Sequence, residues 1–593
     1  MSKEFLLGNE AIARGLLEAG VDVATGYPGT PSSEILAALA PVAGERGFHI
    51  EWSVNEKVAM EVAIGAAWAG ARSVVTMKHV GLNVAADPFM TLSHTGVVGG
   101  MIVLVADDPF CHSSQNEQDS RMYAKFAKIP CLDPCSPQEA KDMIAYAYEL
   151  SEKYQTPVMF RPTTRVSHGK SDVTVGDLPE GKRPVKFTKD VERFVVLPKH
   201  TRALLKKLNA KQEALRKELL SSPWNKVEVK PEAKLGIIAS GVSSKYVEEA
   251  LASIKEPVSY LKIGAYPVDP LLITKLAESV DKVLVIEELM PIVEEQVRMY
   301  ADDVAGKMTG EVPHEGEFDT LLVSNIIRKL LKLPVLKVNE PQTGIDLPMR
   351  PPALCPGCPH RATFYALKSV FKDESIFASD IGCYTLGTQM GAVDTCICMG
   401  ASITIASGLS FAGVKNKVAC TIGDSTFLHT GIPGLMNAVY NKANITVVIL
   451  DNRTTAMTGH QQHPALGEMI TGEPTTEVSL ESMVKACGVD HMQVVNPFDM
   501  ETTKAAFRNA YESDGVNVII SRQPCIITAK RIGIKRKQYE VIEDLCEGCK
   551  RCVKFGCPAM EFKNGKAVTN DQCAGCGVCS DLCQFGAIKI RSK

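Results

Sequence analysis

Eight of the chain's 19 cysteines fall between Cys546 and Cys583, and their spacing decides what that end of the chain can become. One run reads Cys546-Glu-Gly-Cys549-Lys-Arg-Cys552-Val-Lys-Phe-Gly-Cys557-Pro558, the other Cys573-Ala-Gly-Cys576-Gly-Val-Cys579-Ser-Asp-Leu-Cys583. A chain of 593 residues buries enough apolar surface to fold without disulfides, so the pattern points to metal. Three thiolates in a tight loop hold three irons of a 4Fe-4S cube, and a distant fourth closes it. A pair of zinc knuckles is the competing reading, but zinc sites usually draw their ligands as two separated pairs rather than as three plus one.

The remaining composition narrows the partners. A net charge of −3 with 22% charged residues gives no electrostatic reason to expect nucleic acid or an anionic membrane surface. No apolar run reaches the length of a membrane span. The opening residues mix charges with apolar residues at helical spacing and lack the uninterrupted core of a signal peptide. The expectation is a cytoplasmic protein.

Apolar strand-like runs alternating with helical patterns predict an α/β fold of roughly three to five domains. Residues 1–185 alternate in this way, with strands expected near 73–77 and 101–106 and a helix over 56–69. A charged, helical stretch follows within 186–233, read as a solvated linking helix. A second α/β segment spans 234–337. The prolines of 338–352 read as a linker at the head of a third α/β segment, 338–530. The two-cluster tail occupies 535–593.

Residues 417–422 form a strand-like run ending in Gly423-Asp424-Ser425. A helical stretch and a second apolar run, 445–450, lead to Asp451-Asn452. In a right-handed strand–helix–strand unit both strand ends open on one edge of a parallel sheet, which brings Asp424 beside Asn452. Mg2+ takes octahedral oxygen ligands, few from protein and the rest from phosphate and water. The segment resembles the thiamine-diphosphate motif, Gly-Asp-Gly with a later Asn. That resemblance implies Mg2+ ligands at Asp424, Asn452 and the carbonyl of Thr454, with Gly423 and Ser425 against the cofactor. Ser425 stands where the motif has glycine. Alone, Gly-Asp-Ser would be an ordinary strand-end turn; its distance from Asn452 and the strand–helix–strand setting argue otherwise.

Upstream, Gly26-Tyr27-Pro28-Gly29-Thr30-Pro31-Ser32-Ser33-Glu34 is similar to a loop of pyruvate:ferredoxin oxidoreductases whose threonine contacts the substrate carboxylate, a role the resemblance gives to Thr30. The plain reading is a helix-capping loop, with Thr30 as cap and Pro31 in the first turn. Residues 55–67 resemble the helix of thiamine enzymes whose first glutamate hydrogen-bonds the cofactor's aminopyrimidine and favours its imino form. This implies Glu56 as the catalytic carboxyl. Otherwise Glu56 is an acid favoured by the helix dipole, and Glu61 is the competing carboxylate.

The chain as a whole resembles the 2-oxoacid:ferredoxin oxidoreductases. They carry a cluster beside thiamine, which implies ligands at Cys355, Cys358, Cys383 and Cys525. In the two-cluster ferredoxins that the tail resembles, the fourth cysteine of each run serves the other cluster. One cube would then take Cys546, Cys549, Cys552 and Cys583, the other Cys573, Cys576, Cys579 and Cys557. Two departures stand out: four residues precede Cys557 where three are common, and Gln584 stands where proline is usual. Cys396 and Cys398 read as core residues, and Cys111, Cys131, Cys135, Cys420 and Cys487 as packing. Among His79, His112, His460 and His463, each of which reads alone as a satisfied core or loop histidine, His79 and His460 are the choices for substrate contact.

The order of pyrimidine-type, transketolase-C-terminal-like and diphosphate-type domains, then the two-cluster tail, resembles the indolepyruvate branch of that family. The resemblance implies oxidative decarboxylation of aryl 2-oxoacids with coenzyme A, with electrons passed to ferredoxin. It also implies thiamine diphosphate, Mg2+ and three 4Fe-4S clusters, and a smaller gamma-type (beta) subunit in a complex of two large and two small chains. Pyruvate or another 2-oxoacid as substrate, and a non-redox thiamine-dependent decarboxylase, are the alternatives. The second would leave twelve patterned cysteines without a role.

Overall fold

The computed structural model describes residues 2–181, 183–337 and 351–591; all but the last two residues of the expected linker lie outside them. The chain divides into two compact units, Met1–Thr343 and Gly344–Lys593.

In the first unit a seven-stranded sheet runs in the order Ala265–Tyr266, Cys131–Leu132, Val158–Phe160, Met101–Ala106, Ser73–Lys78, Val23–Gly26, His49–Trp52. Every pairing is parallel except that of the first strand. Met101–Ala106 is buried at every residue and Ser73–Lys78 at all but the last, as expected of parallel strands covered on both faces. A second sheet runs Val304–Ala305, Lys282–Ile286, Leu235–Ser240, Val258–Ile263, Lys226–Glu228, with only the last strand antiparallel.

The edge strand Ala265–Tyr266 belongs by sequence to the 234–337 segment yet completes the first sheet. Beside it lies a buried ionic network. Arg121 donates to Asp119 at 2.6 Å, Glu287 at 3.0 Å and the Tyr266 hydroxyl at 3.1 Å. Arg161 donates to Asp107 at 2.7 Å and Asp133 at 3.2 Å. Breaking one partner of such a buried pair typically costs about 3–5 kcal/mol.

Two local expectations change. The charged linking helix, Pro198–Leu220, buries Leu204, Leu208, Leu215 and Leu219. Their spacing puts them on one face, so the helix packs on a leucine stripe and exposes its charges. The helix after the Thr30 loop begins at Ser33 with Ser32 at its N-cap position. Thr30 is not the cap, and Pro31 precedes the first turn. The loop is closed instead by the Gly29 N–H donating to the Ser33 hydroxyl and the Ser32 hydroxyl donating to the Gly29 carbonyl, both at 2.8 Å.

The second unit carries five parallel strands in the order Ile376–Ser379, Val418–Gly423, Ile445–Asp451, Val516–Arg522, His491–Val495. Val418–Gly423 and Ile445–Asp451 are buried throughout. The C-terminal residues form two antiparallel ribbons, Tyr539–Val541 with Ile588–Ile590 and Met560–Lys563 with Lys566–Thr569. Phe555, Val578 and Leu582 from this part share a core with Leu354, Cys358, Ala362 and Phe364. Among the described residues no helix is long and apolar enough to cross a membrane.

Candidate active site

The sequence-predicted site residues divide between the two units. In the first, the Asn55 side chain caps the helix Glu56–Trp68 by accepting from Val58 N–H at 2.9 Å. Glu56 opens that helix and is buried, whereas Glu61 is exposed and pairs with Lys57. Gly81 lets the chain pass close to Glu56: a Cβ there would lie 2.7 Å from the glutamate's Oε1. Thr30 follows the strand Val23–Gly26 on the loop described above. His79 follows the strand Ser73–Lys78; it is buried, and its Nε2 lies 3.1 Å from the Asn116 carbonyl. Burial holds its pKa below the ordinary histidine value. His112 instead lies 3.1 Å from Glu317 with nearly half its side chain exposed.

In the second unit Gly423 pairs with Leu450, so Asp424 and Asn452 leave the same sheet edge on adjacent strands. Asp424 accepts from Ser425 N–H and Arg453 N–H, both at 2.8 Å. Burial pushes its pKa up, but His463, with Nε2 3.2 Å from Oδ2, together with the Ser425 N–H and Asp451, outweighs that and leaves the carboxyl below its ordinary range. One terminal atom of the Asn452 amide lies 3.2 and 3.3 Å from the two Asp424 carboxylate oxygens and 2.8 Å from the Thr454 carbonyl oxygen. With nitrogen there, the amide donates to three acceptors. With oxygen there, the amide oxygen faces the carboxylate and the carbonyl oxygen, which is favourable only around a cation. Their separations fit the edge of an octahedron with Mg–O bonds of about 2.1 Å, which is roughly 3 Å.

His360 stands on the other side of the Asn452 amide, its Nε2 3.4 Å from Nδ2. Burial lowers its pKa to about 4, against the pull of Asp424. His360 and His463 are the neighbours that sequence reasoning passed over. His463 was grouped with three other histidines without priority; for His360 the signal available was its place at a helix start directly after the Cys-x-x-Cys. His460 lies beside a cysteine, its Nε2 3.7 Å from Cys525 Sγ.

The patterned cysteines fall into neighbouring groups. Burial raises the Cys358 thiol to about 12 and the Cys383 thiol to about 11; Cys355 and Cys383 add to the first shift, Cys525 and Cys355 to the second. Cys383 therefore stands in the field of the other three. In the tail, Cys552 is raised by burial and then by Cys583, Cys546 and Cys549. Cys576 is raised to about 11 by burial and then by Cys557 and Cys573, and Cys579 is raised by burial with the same neighbours. Among the described residues no three His, Cys, Asp or Glu side chains close around the point a single ion would occupy; four thiolates at the corners of a cube are spread more widely than that. Cys398, expected in the core, is exposed, and Cys396 is half-buried.

Comparison with known proteins places these features. Residues 14–201 match the family described as "Pyruvate flavodoxin/ferredoxin oxidoreductase, thiamine diP-bdg". Residues 380–521 match "Thiamine pyrophosphate enzyme, C-terminal TPP binding domain". Over 98% of its length the chain is 46% identical to the "Indolepyruvate oxidoreductase subunit IorA" of Thermococcus kodakarensis, covering 96% of that protein. It is 45% identical to the protein of that name from Archaeoglobus fulgidus, over 99% of this chain and 97% of the relative. Against the protein of that name from Methanothermobacter thermautotrophicus it is 43% identical, over 100% and 98%. With two parallel sheets that match thiamine-diphosphate-binding models, and relatives this similar from end to end, the chain belongs to the family of the indolepyruvate oxidoreductase subunit IorA.

Proposed function

We propose that this chain is the large subunit of an indolepyruvate:ferredoxin oxidoreductase. The reaction converts an aryl 2-oxoacid, coenzyme A and two oxidised ferredoxins to aryl-acetyl-CoA, CO2, a proton and two reduced ferredoxins. The match to IorA proteins along nearly the whole chain carries the reading, and the convergence of Asp424, Asn452 and Thr454 supports it.

Asp424, Asn452 Oδ1 and the Thr454 carbonyl would hold Mg2+ for the cofactor's diphosphate, with Gly423 and Ser425 beside it. Glu56, buried at its helix start, offers its carboxyl proton to the aminopyrimidine. The Thr30 loop receives the carboxylate end of the substrate, and His79 closes the same side. When bound, thiamine diphosphate supplies the nucleophilic carbon and the electron sink for loss of CO2. Cys355, Cys358, Cys383 and Cys525 hold a 4Fe-4S cluster, with His460 beside Cys525. The tail is a ferredoxin-type domain with two more: Cys546, Cys549, Cys552 and Cys583 hold one, and Cys573, Cys576, Cys579 and Cys557 the other. Clusters held there would supply one-electron carriers between the oxoacid site and ferredoxin.

A second subunit of roughly twenty kilodaltons, one ordinary α/β domain, completes the coenzyme A site. Two copies of each chain assemble around a shared axis, and the complex works in the cytoplasm. The test is anaerobic viologen reduction by the purified complex with a panel of 2-oxoacids. Coenzyme A-dependent reduction with indolepyruvate or phenylpyruvate is expected. Preference for pyruvate, or aldehyde release without viologen reduction, would overturn the assignment, as would full activity from this chain alone.

A further inference from the structure

Three parallel strands of the seven-stranded sheet end side by side: Gly26 pairs with Thr76, and Lys78 pairs with Ala106. Ligands of open parallel sheets sit at this carboxyl edge. Out of the first strand comes the loop to Thr30, and out of the third come Asp107 and Asp108. Lys78 is the last residue of the strand between them, and no role given to the site so far uses it.

The lysine stem lies along the Thr30 loop. A Cβ on Gly29 would meet Lys78 Cγ at 3.1 Å and Cδ at 3.2 Å, so this glycine keeps the room the side chain occupies. The ammonium donates to the Ser113 carbonyl at 3.1 Å, and among the described residues that neutral oxygen is its one hydrogen-bond partner. The Ser113 hydroxyl in turn lies 3.4 Å from the Thr30 carbonyl. Asp108, the acid whose field acts most on Lys78, is engaged elsewhere. It accepts from Ser113 N–H at 2.8 Å, the Ser114 hydroxyl at 2.7 Å and the Thr164 hydroxyl at 2.8 Å. Burial lowers the lysine pKa to about 8, against the pull of Asp108, Glu56 and Cys111. The half-buried ammonium therefore has a neutral partner and room for a charged one, which an arriving carboxylate supplies.

We propose that Lys78 is the counter-ion for the substrate carboxylate, gripping the 2-oxoacid between its ammonium and the Thr30 loop. The inference rests on the reading above that the substrate is a 2-oxoacid. A charge-assisted hydrogen bond contributes about 1.5–3 kcal/mol, which is roughly 10–150-fold in affinity.

The test uses the complete complex of large and small subunits, with Lys78→Met to keep the stem and remove the charge, and Lys78→Arg to keep the charge. Steady-state viologen reduction is measured against indolepyruvate and against coenzyme A. Inhibition by 3-phenylpropionate, a carboxylate without the keto group, is measured in parallel. Lys78→Met should raise the KM for indolepyruvate and the inhibition constant of 3-phenylpropionate by about 10–100-fold, with the KM for coenzyme A unchanged. Lys78→Arg should recover most of the loss. Constants within twofold of wild type in Lys78→Met would overturn the proposal. So would an equal loss in both variants, because restoring the charge would then restore nothing. If the wild-type complex reduces no viologen with any 2-oxoacid, the functional reading itself fails and takes this inference with it.

Discussion

Arg361 reaches from the helix Pro359–Phe371 to the C-terminal tail, donating Nη1–H to the Gly556 carbonyl, just after the short helix Arg551–Lys554, at 2.6 Å. Its Nη2 donates to the Leu354 carbonyl. One buried guanidinium therefore fastens the tail to the segment carrying Cys355 and Cys358. Removing such a charged donor costs about 1.5–3 kcal/mol. In Arg361→Ala, limited anaerobic proteolysis should cut faster around residues 532–540 than in wild type, while the Val418–Gly423 sheet resists. Equal cleavage rates would mean that Phe555, Val578 and Leu582 alone hold the tail in place.

Glu56→Gln should leave folding, iron content and thiamine diphosphate binding intact and lower 2-oxoacid oxidation by at least about 10²–10⁴-fold, the usual worth of a positioned proton donor. Circular dichroism and iron analysis establish the first half, viologen reduction the second. Near-normal turnover would show that another carboxylate serves.

Asp424→Asn should weaken retention of thiamine diphosphate with Mg2+ by more than the roughly 10–100-fold typical of changes outside the ligand shell. Cofactor recovered after gel filtration in Mg2+ buffer measures it. Retention equal to wild type would move the metal away from this strand edge.

Cys525→Ser should degrade one cluster and spare two, and Cys552→Ser should do the reverse for a tail cluster. Point substitutions suit this test better than removing the tail, because its absence would expose Leu354 and Phe364, now buried with Phe555 and Leu582. Low-temperature spin resonance together with iron content reads the outcome. A Cys525→Ser spectrum identical to wild type would sink the cluster beside the diphosphate site.

Glu288 links stability to pH. Burial raises its pKa from 4.5 to about 7, against the Phe318 N–H and Arg161. Between these values the unfolded chain releases a proton that the folded chain keeps. Stability from this group is therefore complete below pH 4.5 and lost as pH rises through 7, by at most about 3 kcal/mol. Glu288→Gln should raise the melting temperature relative to wild type at pH 8 and lose that advantage at pH 5. An advantage that does not change with pH would point to packing instead.

The sheet and the main site pairs were legible because their causes are local or topological. Met101–Ala106 and Leu235–Ser240 are continuous apolar runs, and the strand–helix–strand rule alone brings Asp424 to Asn452. What escaped depended on contacts distant in sequence. The two-residue strand Ala265–Tyr266 is too short to show a period, and its place is set by pairing with Cys131–Leu132. The cap is hard to read at Thr30 because Ser32 and Ser33 offer rival hydroxyls two and three residues on. Nothing in the chain sets His463 apart, and only the folded loop turns it towards Asp424 and His460 towards Cys525. Lys78 reads as a polar strand end until Gly29 is seen beneath it.

The Cys525 N–H donates to the Asn452 carbonyl at 2.8 Å. Asn452 thus turns its side chain towards Asp424 and the Thr454 carbonyl and its main chain towards Cys525, and the step between the two is a single residue of backbone. Rotamer changes and substitutions in a substrate pocket leave that step untouched. Side chains around either residue can therefore change while the main-chain link between Asn452 and Cys525 stays fixed.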